Sequence, residues 1–466
     1  MSRERGGAPL DGVADEADGL GPAPPDGAPD EADRLGPAPP VRSGVGRLFG
    51  AMAVDVGPLR RHRDFRLLFI GRGVTLLGSE ITYVAVPFQA YQLTHSSLVV
   101  GLLSAAELVP LLVMALVGGA LADAIDRRRL VLLAEVLFTG ASVVLLINAR
   151  LAAPRLWVLF VVAVLMAGID GLQRPPLDAL MPRLVDHDEL TTAGALTGLR
   201  STIATIAGPV LGGVLIAAAG LATAYAFDVA TFVVSIVALA LMRAVPPPAG
   251  GEPPSLRGVI AGLRYAASRQ ELLGTYAVDM VAMFFGMPMA LFPALAQRFG
   301  GAGVLGLLYA APEVGALLAT LVSGWMVSVR RHGAAVCLAA AGWGVGITVL
   351  GFAPTLWLAL AGLAFAGFCD MVSGIFREVI WNKTIPDHLR GRLAGIEQIS
   401  YSSGPLLGNV ESGVVASLAG VRAAIASGGI LCVGGVAVAA ALLRGFWRYE
   451  APPSPRGDGP EAPAGG

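Results

Sequence analysis

Residues Gly101 to Gly119 read GLLSAAELVPLLVMALVGG and residues Gly306 to Gly324 read GLLYAAPEVGALLATLVSG, with ten of nineteen positions identical. Both segments are apolar and close to the length, about 20 residues, that a helix needs to cross a bilayer. A copy 205 residues downstream in a chain of 466 is the trace of two homologous halves related by an axis along the membrane normal. Two further pairs keep the same order. GPVLG at Gly208 to Gly212 matches GPLLG at Gly404 to Gly408, and Arg174 with Pro182 matches Arg377 with Pro386.

Composition agrees with a chain that lives in lipid. It is 55% hydrophobic and only 14% charged, with a mean hydropathy of +0.68, too little polar surface for a soluble globule of this size. Twelve apolar stretches are predicted to span, at 66–92, 98–122, 130–149, 156–176, 193–218, 223–243, 271–297, 303–328, 333–352, 356–380, 394–419 and 422–444. The fold class expected is therefore an all-α membrane protein with twelve transmembrane helices in two pseudo-symmetric six-helix halves.

Placing the N-terminus in the cytoplasm puts nineteen basic residues in the inner loops, among them Arg60, Arg61, Arg127, Arg128, Arg129, Arg330 and Arg331. The outer loops keep only Arg150, Arg155, Arg298 and Arg422. That imbalance predicts a multi-pass protein of the cell membrane with both ends cytoplasmic. Residues 1–58 carry a tandem duplication, DGVADEADGLGPAPP then DGAPDEADRLGPAPP, whose Pro, Gly and acidic content cannot bury a core and predicts a disordered tail. The halves are expected at 59–243 and 271–445. Between them lies a Pro/Gly-rich linker, 244–270, whose Leu256, Val259, Ile260 and Leu263 recur at helical spacing, either as a surface helix or as an extension of the seventh span. A second loose tail is expected at 446–466. Cys337, Cys369 and Cys432 all fall within spans, so packing is their expected role.

The segment GGALADAIDRRR, with Gly119, Asp123, Asp126, Arg127 and Arg128, joins an acid to a basic cluster at a helix end, where charge-assisted bonds between helices can form. It resembles the loop signature of the major facilitator superfamily, departing from it at Asp126 where that family usually has Gly. The resemblance implies a cytoplasmic gate, with Asp123 touching the other half in the outward-facing state. Ala204, Gly208, Pro209, Gly212 and Gly213, echoed by Gly404, Pro405 and Gly408, resemble the fifth-helix motif of exporters in that superfamily. Over residues 60–445 the chain is most similar to its enterobactin exporter group, shared by siderophore and multidrug exporters. VPFQAYQLTHSS (Val86–Ser97), LFPALA (Leu291–Ala296) and the quoted repeat carry the likeness.

Ionisable residues within spans are costly and mark pathways or proton relays. Here they are Arg72, Glu80, Glu107, Asp170, Asp279, Glu313, Asp370 and Glu397. By resemblance, the first, fourth, seventh and tenth helices line the cavity, which selects Glu80, Asp170, Asp279 and Asp370. Pairing with Arg72, Arg174, Arg200 or Arg377 as structural salt bridges is the competing reading. Asp228 is expected as an interfacial cap. Lys383, the only lysine, follows Asn382 rather than Gly, so the chain has no P-loop. Asp186-His187-Asp188-Glu189 reads as a solvated loop rather than a metal site. No cofactor, metal or nucleic acid is expected. The function expected is a monomeric, proton-coupled exporter of a siderophore, drug or other small amphipathic metabolite. An importer of a nutrient or iron-siderophore complex, or a membrane-embedded enzyme or sensor, are the alternatives.

Overall fold

The computed structural model describes residues 55–245, 264–265 and 268–450. The N-terminal duplication, the end tail after residue 450 and most of the linker, including the amphipathic segment at 256–263, lie outside the described residues. Twelve long helices follow one another: α1 (Arg63–Thr94), α2 (Ser97–Ala124), α3 (Arg127–Arg150), α4 (Leu156–Leu180), α5 (Leu190–Ala219), α6 (Leu221–Ala240), α7 (Gln270–Phe299), α8 (Ala302–Leu321), α9 (His332–Phe352), α10 (Leu356–Thr384), α11 (Asp387–Ala419) and α12 (Val421–Leu442). Each has at least 20 residues, enough to cross a hydrocarbon core of about 30 Å. Among the described residues the only β pairing is an isolated bridge between Arg331 and Glu450.

Local chemistry sets the breaks. Ser96 and Thr355 cap α2 and α10 by accepting the N–H of Val99 and Leu358 on their hydroxyls. Gly286 and Pro288 interrupt α7, which continues through a 3-10 turn at Met289–Leu291. Proline lacks the N–H that a continuous ladder needs. The expected eighth span, 303–328, is shorter in the structure because a 3-10 helix, Ser323–Ser328, replaces its last turns. Gly220 and Gly420 make the equivalent one-residue corners α5–α6 and α11–α12 at φ +81° and +89°, a backbone region that side chains avoid.

The two halves are twins in their packing. In the first, α1 packs on α5 and α6, α2 on α4, and α3 on α4 and α6. In the second, α7 packs on α11 and α12, α8 on α10, and α9 on α10 and α12. The halves join through α2 against α11 and its counterpart α8 against α5. The sequence offset falls from 203 at Arg174/Arg377 to 196 at Gly208/Gly404. That step of seven is the difference between the nine-residue connection 181–189 and its two-residue twin 385–386.

Contacts between the halves gather at the end away from Arg63 and Leu442, where the first span begins and the last one finishes. Gly101, first residue of the repeat, lies against the Asn409 carbonyl of α11, and its copy Gly306 lies against the Pro209 carbonyl of α5. Gly413 meets Ser97 and Leu98, while Gly213 meets Ala302 and Gly306. Asn409 donates its Nδ2 to Ser104 Oγ at 3.2 Å. Toward the other end, a Cβ added to Gly119, Gly194, Gly198 or Gly324 would meet nothing within 4 Å. The close glycine contacts between the halves thus lie at the far end, and among the described residues these glycines show none at the end where the described chain begins and finishes.

A cysteine pair, Ser104→Cys with Asn409→Cys, should therefore cross-link on mild oxidation and tie α2 to α11. A Gly119→Cys/Gly324→Cys pair should give less than about a tenth of that yield. Gel mobility after cleavage in the 246–263 linker reads both.

Candidate transport cavity

Below the end where the halves meet closely, acids from both halves share the space between them. α1 supplies Glu80, α2 Glu107, α4 Asp170, α8 Glu313 and α10 Asp370, all half-buried. Glu80 is held at α5, whose Gly208 lies against its Cβ, and Gly212 seats the neighbouring Ile81. Gly404 and Gly408 of α11 play the same part for α7, seating Met283 and Phe284. The two glycine-proline motifs are thus sockets for the first helix of each half, and the carbonyl of Pro209 packs on the facing half. Glu313 lies beside Thr205 of α5, whose hydroxyl turns to the Ser201 and Thr202 carbonyls. It lies within electrostatic reach of Glu80 and Asp370, and Glu107 within reach of Asp170. Above them Tyr83 meets Tyr309 edge-on at 5.5 Å, and Tyr309 meets Phe292 at 5.0 Å. Tyr83 donates to Met289 Sδ at 3.3 Å. This aromatic group closes the space across the halves.

Arginines brace several acids within a half, Asp170 and Asp370 among them. Arg72, a cavity candidate from sequence, points away from the acids between the halves: it donates to Glu135 at 3.0 Å and to Gln173 at 3.1 Å, and Gln173 donates to Glu135 at 3.0 Å. Asp170 pairs with Arg174 at 2.7 Å one turn on. Asp279, also a cavity candidate, is 6% exposed and salt-bridged to Arg377. Asp370 stands 3.7 Å from the same guanidinium, which stacks over Tyr401 at 5.0 Å. A small pocket around this pair is lined by Thr275, Tyr276, Trp381 and Ser400. Among the described residues no arginine, lysine or histidine forms an ion pair with Glu80, Glu107 or Glu313. Arg200 lies over the Phe69 ring at 5.4 Å.

Glu135 was not singled out from sequence, because VLLAEVLF reads as unbroken span; an unmatched Arg72 on a neighbouring helix was its only signal. Asp228 corrects an expectation. It is not an interfacial cap but sits two turns inside α6, fully buried, where Thr82 and Ser142 donate to its Oδ2 at 2.7 Å each.

In the loop signature, Asp126 is the N-cap of α3, accepting the Arg129 N–H at 3.2 Å. Its φ of −53° needs no glycine, which accounts for the departure from the family pattern. Arg127 donates to the Ala179 carbonyl at 3.1 Å, and Arg128 to Leu239 and Ala240 at 2.6 Å each. Both arginines satisfy helix C-terminal carbonyls of their own half. The side chains of Asp123 and Glu397 lie outside the described residues. In the loop before α5, Asp186 and Glu189 turn to His62, with ligand atoms within 4.8 Å of one another. His62 meets Glu189 at 2.6 Å, and Arg61 salt-bridges the same carboxylate, a clamp that ties the start of α1 to this loop.

A groove of about 980 Å³ between α9 and α12, rimmed by Arg331, Arg444 and Arg448, lies wholly within the second half.

A family model described as transmembrane secretion effector matches residues 53–458. The chain is 30% identical over 409 residues to the enterobactin exporter of Citrobacter koseri, covering 87% of this chain and 98% of that one. It is 29% identical over 384 residues to the enterobactin exporter of Shigella boydii serotype 4, at 82% and 92% coverage. Among solved structures it resembles the nucleoside transporter NupG, with a TM-score of 0.67, 12% identity, and coverage of 83% and 100%. It also resembles a bacterial homologue of the iron transporter ferroportin in its inward-facing state, with a TM-score of 0.63, 17% identity, and coverage of 83% and 99%.

Arg377→Ala should destabilise the second half by about 3–5 kcal/mol, since it strands the Asp279 charge in the bundle. Arg377→Met combined with Asp279→Leu should recover most of that loss. Thermal unfolding in detergent checks both.

Proposed function

The chain belongs to the transmembrane secretion effectors of the major facilitator superfamily, and from that premise we propose a proton-coupled exporter of small amphipathic metabolites, siderophores or drugs. The observation that carries this reading is the set of unpaired acids, Glu80, Glu107 and Glu313, beneath the Tyr83–Tyr309 contact at the end where the halves meet closely; the other end is read as the open one. With both termini cytoplasmic, as the loop charges predict, the open end faces the cytoplasm and cargo would load from there.

The physical logic is a carrier with two accessible faces. An unpaired carboxylate in a low-dielectric space is costly as an anion and takes a proton readily. Glu80 sits at the α1–α5 contact and Glu313 at the α8–α5 contact. Loss or gain of charge there alters how α5 meets both partners. Protons taken up from outside would favour cargo release, and protons lost inside would reset the carrier. Asp170, Asp279 and Asp370, each beside an arginine, keep secondary parts in this scheme. The gate role of Asp123 belongs to the opposite, outward-open arrangement. Export is also the direction in the names of two relatives at 30% and 29% identity, both enterobactin exporters. The carrier works as a monomer, since one chain supplies both halves of the cavity.

In inverted membrane vesicles with an acidic lumen, the protein should accumulate a catecholate siderophore or a lipophilic dye, and a protonophore should abolish that uptake. Glu80→Gln and Glu313→Gln should each lower the initial rate tenfold or more with the protein level unchanged. Uptake indifferent to the protonophore would remove the coupling, and normal rates in both variants would remove the site.

A further inference from the structure

One buried acid takes no part in the space between the halves. Asp228 of α6 is 0% exposed. Its Oδ2 accepts hydrogen bonds from Thr82 Oγ1 of α1 and Ser142 Oγ of α3, each at 2.7 Å. Thr231, one turn further along α6, donates its hydroxyl to the main-chain carbonyl of Asp228 at 2.7 Å, and its Oγ1 faces Gly78 beside Asp228 Oδ1. Gly78 of α1 leaves the room these groups occupy: a Cβ there would fall 2.6 Å from Asp228 Oδ1 and collide with Thr231 Oγ1. Oδ1 itself has no hydrogen-bond partner.

Charge makes that orphaned oxygen informative. Among the described residues no arginine, lysine or histidine pairs with Asp228. The ionisable groups that face it are Glu135 of α3, already matched by Arg72, and Tyr225 of α6, which donates to Gln89 at 2.8 Å. A buried carboxylate without a counter-charge is strongly disfavoured. A trapped water would satisfy Oδ1 but leave the charge in place, whereas a cation would do both. The donors are all oxygens, one carboxylate and three hydroxyls, which is the ligand chemistry of hard cations. A single uncompensated negative charge matches a single positive one. The space beside Oδ1 is too narrow for a methyl group on Gly78, which suits a small ion.

We propose that Asp228, Thr82, Ser142 and Thr231 form a buried binding site for a monovalent cation, sodium, inside the N-terminal half. The site joins α1, α3 and α6 behind the helix that carries Glu80, so occupancy pins α1 to its own bundle. It goes beyond the export reading and depends on neither cargo nor direction.

Binding to the folded state raises stability by mass action, so the test needs no transport. The full chain, purified in detergent, is melted over a NaCl series with N-methyl-D-glucamine chloride holding ionic strength constant, and again with KCl. The expected result is a saturating rise of several degrees with Na⁺ and a much smaller one with K⁺. The rise should vanish in Asp228→Asn, and Ser142→Ala should need about tenfold more Na⁺ for half the effect. If Asp228→Asn does not fold, Ser142→Ala and Thr82→Val carry the comparison. Equal shifts with all three salts, a Na⁺ shift that survives in Asp228→Asn, or stabilisation that follows pH with no response to Na⁺ would each overturn the assignment. Failure here leaves vesicle export untouched, and failure of export leaves this titration readable.

Discussion

Helices in lipid gain little by exchanging acyl chains for one another, so a membrane bundle holds together where backbones come close enough for dense van der Waals contact. That constraint shapes every contact surface described above. Gly101 and Gly306 let α2 and α8 reach the carbonyls of the opposite half, while Gly208, Gly212, Gly404 and Gly408 let α1 and α7 sink into α5 and α11. At Gly101, Gly306, Gly208 and Gly408 a methyl group would strike backbone or the root of a side chain, and at Gly212 and Gly404 it would crowd one. Overpacking of that kind costs about 1–3 kcal/mol per site. The repeat seen in the sequence is therefore a repeat of contact surfaces, and its identities concentrate where bulk cannot be tolerated.

Much of the fold was legible for this reason. Apolar length alone separates the twelve spans, and the glycine-proline pairs register one half on the other. The boundaries that moved did so for local reasons, such as the 3-10 turn Ser323–Ser328 that ends α8 early. The polar interior was less legible. Helices bathed in lipid carry apolar residues on every face, so helical phase cannot be read from hydrophobic periodicity as it can in a soluble protein. Nothing in the sequence says that Arg72 faces Glu135, that Arg377 gathers both Asp279 and Asp370, or that Asp228 turns inward to Thr82 and Ser142. Candidate acids could be named from the sequence, but their sorting into paired and unpaired groups needed three dimensions.

That sorting has a mechanical consequence. Arg72–Glu135–Gln173 links α1, α3 and α4, and Arg377–Asp279–Asp370 links α10 to α7. Arg127 and Arg128 fasten the start of α3 to the ends of α4 and α6. All of these lie inside one half. Desolvated ion pairs are weak net stabilisers but costly to break one-sidedly, which makes them good devices for holding a six-helix unit in one shape.

Between the halves the chemistry is of another kind. Small residues meet backbone, one amide meets Ser104, and a tyrosine hydroxyl touches a methionine sulfur. Interhelical hydrogen bonds in membranes average only about 0.6 kcal/mol, so parting these surfaces gives up dispersion contact and little else. Stiff, ion-paired units that share a smooth, weakly bonded surface will move as rigid bodies rather than deform. The acids without partners sit where that surface meets the space between the halves. Their charge is therefore placed to bias the one motion that the braces leave free.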